Sequence, residues 1–318
     1  MVLAIKAENL GIGYYLDDGT PMLVVRDISF ELEQGSSLCI VGESGCGKTT
    51  LASAISGILP PHSFTRGRLY IFDKIVIDGD FTAFNGVRGE LVSYIPQNPG
   101  TSLNPYLTIA DHFFHVISSK RKIKQAEVRK IAIQYLEKVG LSSSVLDMYP
   151  HELSGGMQQR VAIALALATG AKILVADEPT SAVDAHLKRQ VVELLNNLVR
   201  EHGLTLVVVT HEIQITPKLC NKVAVMYAGR FLEYGKTSSV MKNPRHPYTI
   251  MLVQTTPVLG YRKPLKPLPG EPPDFMNQET WCPLYPRCPI RDEHLCLQEP
   301  QLKNIGGEDE HYVRCWLT

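Results

Sequence analysis

The segment Gly42-Glu-Ser-Gly-Cys-Gly47-Lys48-Thr49 is the most informative in the sequence, because its spacing matches the phosphate-binding pattern G-x-x-x-x-G-K-[ST]. Glycines let the backbone curl so that successive N–H groups point at phosphate oxygens, and the helix that follows adds its positive N-terminal end. The apolar run Ser37–Val41 precedes the loop, as a buried parallel strand would. We expect Lys48 to reach the β- and γ-phosphates of a nucleotide and Thr49 to ligate Mg²⁺. The nucleotide contacts expected here are Gly42, Ser44, Gly45, Cys46, Gly47, Lys48, Thr49 and Thr50.

Working outward from the loop, the chain alternates apolar runs with segments of helical spacing. Residues 173–176 and 204–209 predict further buried strands, and residues 128–139 and 187–198 predict amphipathic helices. Asp27–Glu33 alternates polar and apolar residues, which is typical of a half-buried strand in an antiparallel sheet. The pattern predicts an α/β fold with a largely parallel core sheet.

Length and composition exclude several classes of protein. A chain of 318 residues is long enough for about two domains. Lys plus Arg and Asp plus Glu both number 32, and this balance argues against a dedicated nucleic-acid-binding protein. No stretch approaches the roughly 20 apolar residues of a membrane-spanning helix, and the start lacks the pattern of a secretory signal. We therefore expect a soluble, cytosolic chain.

Three further motifs place polar groups at strand ends and at a helix start. Asp177 and Glu178 end a buried run, where Asp177 would hold Mg²⁺ and Glu178 would act as general base on water. Ser154-Gly-Gly156 is typical of a capped helix start and predicts a second anion site. His211 ends the run 204–209 and would contact the γ-phosphate, although a single histidine is more often structural.

Five motifs in one order, GESGCGKT, LSGGMQQR, ILVADEPT, SAVD and TH, make residues 1 to about 240 resemble the ATP-binding cassette (ABC) ATPases. The resemblance implies the P-loop NTPase fold of that family, with an N-terminal antiparallel β-subdomain and a helical subdomain at about 102–165. It also implies that ATP on one subunit is covered by the signature loop of another. The residues that would serve the partner's nucleotide are Ser154, Gly155 and Gly156.

The same resemblance assigns roles to four more positions. Gln97 matches the glutamine that senses Mg²⁺ and contacts the transporter. The expected catalytic residues are therefore Gln97, Lys48, Glu178 and His211. Tyr14 matches the aromatic residue that stacks on adenine, with Tyr15 as the alternative and a core role open for either. Asp184 matches the loop that signals across the dimer, and it also suits the N-cap of the next helix.

The composition changes near residue 244. Twelve of the 21 prolines lie between Pro244 and Pro300, and four of the seven cysteines lie in the last 37 residues. Such proline spacing forbids long helices and central strands. We therefore divide the chain into a nucleotide-binding domain, residues 1–243, and a Pro/Cys-rich C-terminal extension, residues 244–318.

The extension carries four cysteines whose spacing suggests a ligand set: Cys282, Cys288, Cys296 and Cys315. Disulfides are unexpected in a reducing cytosol, whereas four thiolates suit Zn²⁺ or an iron–sulfur cluster. The shortest gap, five residues, favours a [4Fe–4S] cluster over Zn²⁺, with free thiols as the third possibility. The remaining cysteines are interpreted as incidental: Cys39, Cys46 and Cys220.

Residues 243–249, 268–273 and 282–288 of the extension resemble the tail of dipeptide, oligopeptide and nickel importers within the ABC family. The resemblance implies a peripheral subunit at the cytoplasmic face of the membrane that powers peptide import. Its partners would be a second homologous ATPase subunit, two membrane permease subunits and, indirectly, an extracytoplasmic peptide-binding protein. A nickel or other small-solute importer, and a non-transport cassette ATPase acting on nucleic acid or ribosomes, remain the alternatives.

Overall fold

The computed structural model describes residues 2–119, 122–181, 185–255, 270–273, 275, 281–307 and 310–318. The strands of this part of the chain are β1 (Leu3–Tyr15), β2 (Pro21–Glu33), β3 (Ser37–Val41), β4 (Ser63–Ile71), β5 (Lys74–Asp78), β6 (Phe81–Thr82), β7 (Val92–Ile95), β8 (Ile173–Asp177), β9 (Thr205–Thr210), β10 (Lys222–Tyr227), β11 (Arg230–Lys236), β12 (Lys303–Asn304) and β13 (His311–Val313). Its helices are α1 (Lys48–Ser56), α2 (Pro99–Ser102), α3 (Ile109–Ser118), α4 (Gln125–Lys138), α5 (Gly155–Ala168), α6 (Ala185–His202), α7 (Thr216–Leu219), α8 (Thr237–Lys242) and α9 (Pro247–Gln254). Single 3₁₀ turns occupy Ser143–Asp147, Pro150–Glu152, Ile213–Ile215, Tyr285–Arg287 and Leu295–Leu297.

The chain divides into two compact units, residues 1–83 with 209–318, and residues 84–208. The first unit contains an antiparallel sheet in the order β2-β1-β4-β5-β6. In β2 the side chains of Ile28, Phe30 and Leu32 are buried and alternate with more exposed neighbours, so one face of the strand packs into the core. The predicted N-terminal antiparallel sheet is confirmed.

The first unit also contains strands in the order β12-β13-β11-β10-β3. All five residues of β3 are buried, and this strand pairs in parallel with β10. The strands after β10 are antiparallel, because β11 pairs with β10, and β13 with β11. The short strands of the C-terminal extension therefore add to the edge of the sheet beyond β11, where proline-rich chain is tolerated.

A disulfide joins Cys39 in β3 to Cys220, two residues before β10. The interpretation of these two cysteines as incidental was therefore wrong, because they form a covalent cross-link. The parallel pairing of β3 with β10 brings the two Cα atoms to 5.7 Å, within the range that a disulfide bridges. Sequence spacing does not reveal the pair, because 181 residues separate its members.

Two buried charged groups fasten the extension to the rest of the first unit. The carboxylate of Glu233, in β11, is fully buried and accepts hydrogen bonds from the backbone N–H of Arg245 and His246 and from Nε2 of His311. Arg314 donates to Asp27 and Glu299, and its guanidinium is 4% exposed. The described residues after 243 thus belong to the same compact unit as residues 1–83.

The second unit carries β7, β8 and most of β9, in the order β9-β8-β7, with β7 parallel to β8. Helix α4 buries Val128, Ala132 and Leu136 on one face and confirms the predicted helix there. Helix α6 confirms the second predicted helix, and the parallel pairs of both units confirm the parallel character of the core. Within the described residues, no helix combines the length and the apolarity needed to cross a membrane.

Candidate nucleotide-binding site

The phosphate loop leaves β3 at a glycine that has no room for a side chain. A Cβ atom on Gly42 would lie 2.1 Å from the carbonyl oxygen of Met226. Gly45 and Gly47 have φ values of +80° and +102°, which glycine adopts without strain. Helix α1 then begins at Lys48, so the loop has the curled strand-to-helix geometry that its sequence predicts.

Lys48 folds back over the loop. Its Nζ donates to the carbonyl oxygens of Gly42, at 2.9 Å, and Glu43, at 2.8 Å, and the side chain is buried. Thr49 and Ser44 are exposed. Because an ammonium group has three donors and rotates freely, Lys48 can exchange these carbonyls for phosphate oxygens without moving the loop.

The thiol of Cys46 faces inward rather than toward a ligand. It is buried and lies 3.8 Å from Nζ of Lys48. Burial raises the pKa of the Cys46 thiol, and a protonated buried thiol is a poor nucleophile. Cys46 therefore contributes its backbone to the loop and acts as a small packing residue.

Tyr14 is the aromatic residue that touches the start of α1. Its hydroxyl donates to Oγ1 of Thr50 at 3.1 Å. Tyr15 is the next residue along β1, so its side chain points to the opposite face of the strand. It is half exposed and its ring centroid lies 5.1 Å from that of Phe64.

Two of the predicted catalytic groups meet in the second unit. Nε2 of Gln97 donates to Oε2 of Glu178 at 3.1 Å. Glu178 has a φ of +44°, which is rare for a residue with a side chain and costs about 1–3 kcal/mol. Such strain persists where the surrounding structure imposes it, and it is common at functional sites.

Asp177 ends β8 and is 1% exposed. Its Oδ2 accepts a hydrogen bond from the hydroxyl of Tyr94 at 3.1 Å. Burial, together with the Asp177 carboxylate, raises the pKa of Tyr94, so the phenol stays protonated and keeps donating. Tyr94 was not identified from the sequence. The only signal for it is its place in β7, three residues before Gln97, on a strand that pairs with β8.

The signature segment forms a capped helix start, as predicted. Ser154 is the N-cap of α5, and its Oγ accepts from the backbone N–H of Met157 at 3.3 Å. Ser154 and Gly155 are exposed, whereas Gly156 is buried and a Cβ there would lie 2.8 Å from Cδ1 of Leu187. The exposed first turn of a helix offers N–H groups to an anion.

Two further positions complete the set of predicted residues. His211 is exposed and directly follows β9. Asp184 lies outside the described residues.

The four cysteines of the extension carry free thiols. Cys282 and Cys296 are buried, and the backbone N–H of Cys282 donates to the carbonyl oxygen of Cys296 at 3.0 Å. Burial raises the pKa of Cys282 to about 12, and the thiols of Cys296, Cys315 and Cys288 add to the shift. In the described part of the chain, no three His, Cys, Asp or Glu side chains are arranged as a metal site. The expected four-sulfur ligand set is therefore not assembled in this structure.

Comparison with known proteins assigns the family. A family model described as ABC transporter matches residues 25–181, and one described as oligopeptide/dipeptide transporter, C-terminal region, matches residues 232–296. The dipeptide transport ATP-binding protein DppD of Bacillus subtilis is 36% identical, covering 100% of this chain and 95% of its own length. The oligopeptide transport ATP-binding protein OppD of Escherichia coli is also 36% identical, covering 95% and 90%.

Solved structures with a similar fold also come from ATP-binding cassettes and ABC transporters. The cassette MJ0796, in a dimeric post-hydrolysis state bound to ADP and Pi, has 28% identity and a TM-score of 0.65, covering 73% of this chain and 98% of its own. The protein cbiO1 from Clostridium perfringens, part of the transporter complex cbiONQ, has 29% identity and a TM-score of 0.63, covering 76% and 92%. Because relatives with 36% identity align with nearly the whole chain and the ABC transporter model matches residues 25–181, the chain belongs to the ABC transporter family as an ATPase subunit.

Proposed function

We propose that this ATPase powers the import of dipeptides or oligopeptides from the cytoplasmic face of the cell membrane. The observation that carries the proposal is the match of residues 232–296 to the C-terminal region of oligopeptide and dipeptide transporters. Relatives named for dipeptide and oligopeptide transport align with 95–100% of the chain, which supports it. These names favour peptides over nickel, other small solutes or nucleic acid as the cargo or partner.

The phosphate loop and Lys48 hold the ATP phosphates in this proposal, and Tyr14 stacks on the adenine. The hydroxyl of Thr49 and the buried carboxylate of Asp177 suit Mg²⁺, which prefers oxygen ligands. Mg²⁺ when bound neutralises the charge that develops on the transferred phosphoryl group.

Hydrolysis needs a group that holds the attacking water and takes its proton. We assign that role to Glu178, whose carboxylate has a hydrogen bond from Gln97 at 3.1 Å and therefore a defined orientation. His211 contacts the γ-phosphate in this assignment. Gln97 also reports the presence of Mg²⁺ to the membrane partner.

The signature helix serves the nucleotide of a second, homologous ATPase subunit. Ser154 and Gly155 are exposed at the start of α5, where their N–H groups can reach an anion on another chain. The dimeric state of MJ0796 supports this pairing. The signalling role of Asp184 across the dimer stays a prediction.

Two ATP molecules between the subunits favour a closed dimer, and two membrane permease subunits respond by changing the side on which they open. The coupling requires that ATP bind the closed state more tightly than the open one. An extracytoplasmic peptide-binding protein delivers the cargo to the permease and touches this chain only indirectly.

We propose from their sequence spacing that Cys282, Cys288, Cys296 and Cys315 hold a [4Fe–4S] cluster, with Zn²⁺ as the alternative. Either metal requires the four thiols to draw together from their arrangement in this structure. The high pKa of Cys282 means that a metal must displace its proton in order to bind. Anaerobically purified protein should be brown and contain iron and sulfide. One zinc per chain without iron would overturn the cluster.

Recovery of partners from native membranes tests the proposed function. A homologous ATPase subunit and two permease subunits should co-purify with a tagged chain. They should be absent when membranes containing the untagged chain are treated identically. Adding ATP to a Glu178→Gln variant should enrich the second ATPase, because the closed dimer is no longer released by hydrolysis. Recovery of ribosomal or DNA-associated proteins instead of a permease would contradict the proposal.

A further inference from the structure

One residue of the cysteine-bearing segment reaches the phosphate loop directly. Arg287 lies in the 3₁₀ turn Tyr285–Arg287, between Cys282 and Cys288, and its side chain is 4% exposed. Its Nη1 donates to Oε2 of Glu43 at 2.7 Å, and its Nη2 donates to Oε1 at 3.0 Å. Glu43 is the second residue of the phosphate loop, so a two-pronged ion pair joins segments 244 residues apart.

The ring and hydroxyl of Tyr227 also contact Arg287 and help to hold the ion pair in place. Nη1 of Arg287 also donates to the hydroxyl of Tyr227 at 3.1 Å, and the guanidinium carbon lies 5.6 Å from the centre of the Tyr227 ring. Shielded pairs of this geometry fix position more firmly than exposed ones, whose long side chains exchange partners with water. The carboxylate of Glu43 is 24% exposed, against 4% for Arg287.

Glu43 is held at its backbone as well as at its carboxylate. Its N–H donates to the hydroxyl of Tyr248 at 3.1 Å, and its carbonyl oxygen accepts from Nζ of Lys48 at 2.8 Å. Tyr248 is fully buried in α9. Two side chains of the C-terminal extension, Arg287 and Tyr248, therefore bind Glu43. Glu43 also contacts Lys48, the residue expected to bind the phosphates.

We propose that Arg287 is a positioning residue for ATP binding, through which the cysteine-bearing segment holds the phosphate loop in its ligand-binding shape. Backbone hydrogen bonds fold Arg287 into a turn with these cysteines, because Tyr285 N–H donates to the carbonyl of Cys282, and Cys288 N–H to that of Tyr285. Interactions that keep this segment folded therefore also keep Arg287 in position beside the loop. The inference rests on the proposed role of the phosphate loop in ATP binding.

The extension also approaches the loop at a second place. A cavity of about 540 Å³ is lined by loop residues 43–46 on one side and by Pro272, Pro273 and Phe275 on the other. The Arg287 ion pair and the Tyr248 hydrogen bond are therefore direct contacts between the extension and Glu43, and an open space lies beside them.

A variant of Arg287 tests the proposal in the full-length protein. In Arg287→Met the Kd for ATP should rise about tenfold, because the loop is no longer held in its binding shape; tenfold corresponds to about 1.4 kcal/mol of binding free energy. In the assembled transporter, KM for ATP should rise similarly while kcat at saturating ATP stays within about twofold. A merely destabilised protein would instead lose active molecules and hence kcat, with KM unchanged.

The matched control is Arg291→Met, which removes an exposed arginine of the same segment that packs on the Tyr285 ring. Its Kd for ATP should equal that of the wild type. Equal Kd values for wild type and Arg287→Met would overturn the proposal. Wild-type protein that binds no ATP would overturn the proposed function and this inference with it.

A double-mutant cycle shows whether Arg287 acts through Glu43. Glu43→Gln should raise Kd for ATP about as much as Arg287→Met, and the double variant should be no worse than either single variant. Additive effects would contradict the proposal. The double variant leaves no unpaired buried charge, so it carries the test if Arg287→Met alone does not fold. A wild-type Kd in the double variant would then overturn it.

Discussion

At the scale of single residues, both the backbone conformation and a hydrogen bond orient the carboxylate of Glu178, the proposed catalytic base. Glu178 has a positive φ directly after the buried strand β8, and Gln97 donates to its Oε2. A carboxylate held in this way has few orientations, which is what a base acting on one water molecule requires. The strain at Glu178 is therefore consistent with a functional position rather than a structural one.

Removing the base should separate binding from turnover. We expect Glu178→Gln to keep its Kd for ATP and to lose about 10²–10⁴ in kcat, because the amide cannot accept the proton of water. Glu90→Gln, an exposed carboxylate of the same unit, is the control and should hydrolyse ATP normally. Nucleotide titration and phosphate release measure the two quantities. Unchanged kcat in Glu178→Gln would remove Glu178 from the role of base.

The hydroxyl of Tyr94 orients a predicted ligand of Mg²⁺. In Tyr94→Phe the Asp177 carboxylate loses this donor, so we expect the Mg²⁺ concentration for half-maximal hydrolysis to rise about tenfold. Tyr70→Phe loses a comparable bond to a carboxylate, that of Glu8 at 3.4 Å, and should leave the Mg²⁺ requirement unchanged. Equal Mg²⁺ dependence in both variants would exclude the orienting role.

At the scale of elements, the start of α5 should act on another chain. Gly155→Glu places a carboxylate at the exposed first turn, where it suits the helix dipole and should not unfold α5. The same charge should repel a phosphate brought by a partner subunit. We expect normal ATP binding to the isolated chain and loss of hydrolysis in the assembled transporter. Loss of ATP binding by the isolated chain would contradict a site shared between subunits.

The N-cap of α9 makes this element sensitive to acid. His246 is 1% exposed and its Nδ1 accepts from the backbone N–H of Tyr248 at 3.1 Å. Burial lowers the pKa of His246 to about 3. Below about pH 6.5, this histidine therefore becomes protonated in the unfolded chain but stays neutral in the folded chain. The free energy of unfolding should fall as pH drops from about 6.5 toward 3, by at most about 1.4 kcal/mol per pH unit from this group.

His246→Asn should reduce that slope, because asparagine keeps an N-cap acceptor and does not titrate. Urea unfolding at several pH values between 7.5 and 4 measures it for both proteins. The variant should lose some stability at neutral pH, from the smaller buried side chain, while its pH dependence becomes shallower by up to one proton. Parallel curves for the two proteins would show that His246 is not the acid-sensitive group.

At the scale of the whole molecule, local signals predicted most of the fold. Strand β3, the loop after it and helices α4 and α6 each carry their information in consecutive residues: apolar runs, glycine spacing or helical periodicity. The structure brings Gln97 and Glu178 together, and the roles that the family resemblance implied for both stay predictions.

Contacts between distant segments were not predictable in this way. The Cys39–Cys220 bond and the Arg287–Glu43 ion pair join residues 181 and 244 positions apart. Which distant groups meet depends on sheet order and on where the extension returns to the core, and a single sequence does not contain that information in any local pattern. The composition shift near residue 244 marked the extension but not its contacts.

If this ATPase drives the import of peptides, ATP-dependent uptake of a peptide should depend on hydrolysis by this chain. The complete transporter should be reconstituted in vesicles with its peptide-binding protein and a labelled tripeptide, with ATP and Mg²⁺ on the side of this chain. We predict that wild-type transporter accumulates peptide and that transporter carrying Glu178→Gln does not. ATP hydrolysis without peptide accumulation by the wild type, or equal accumulation by the variant, would contradict the account.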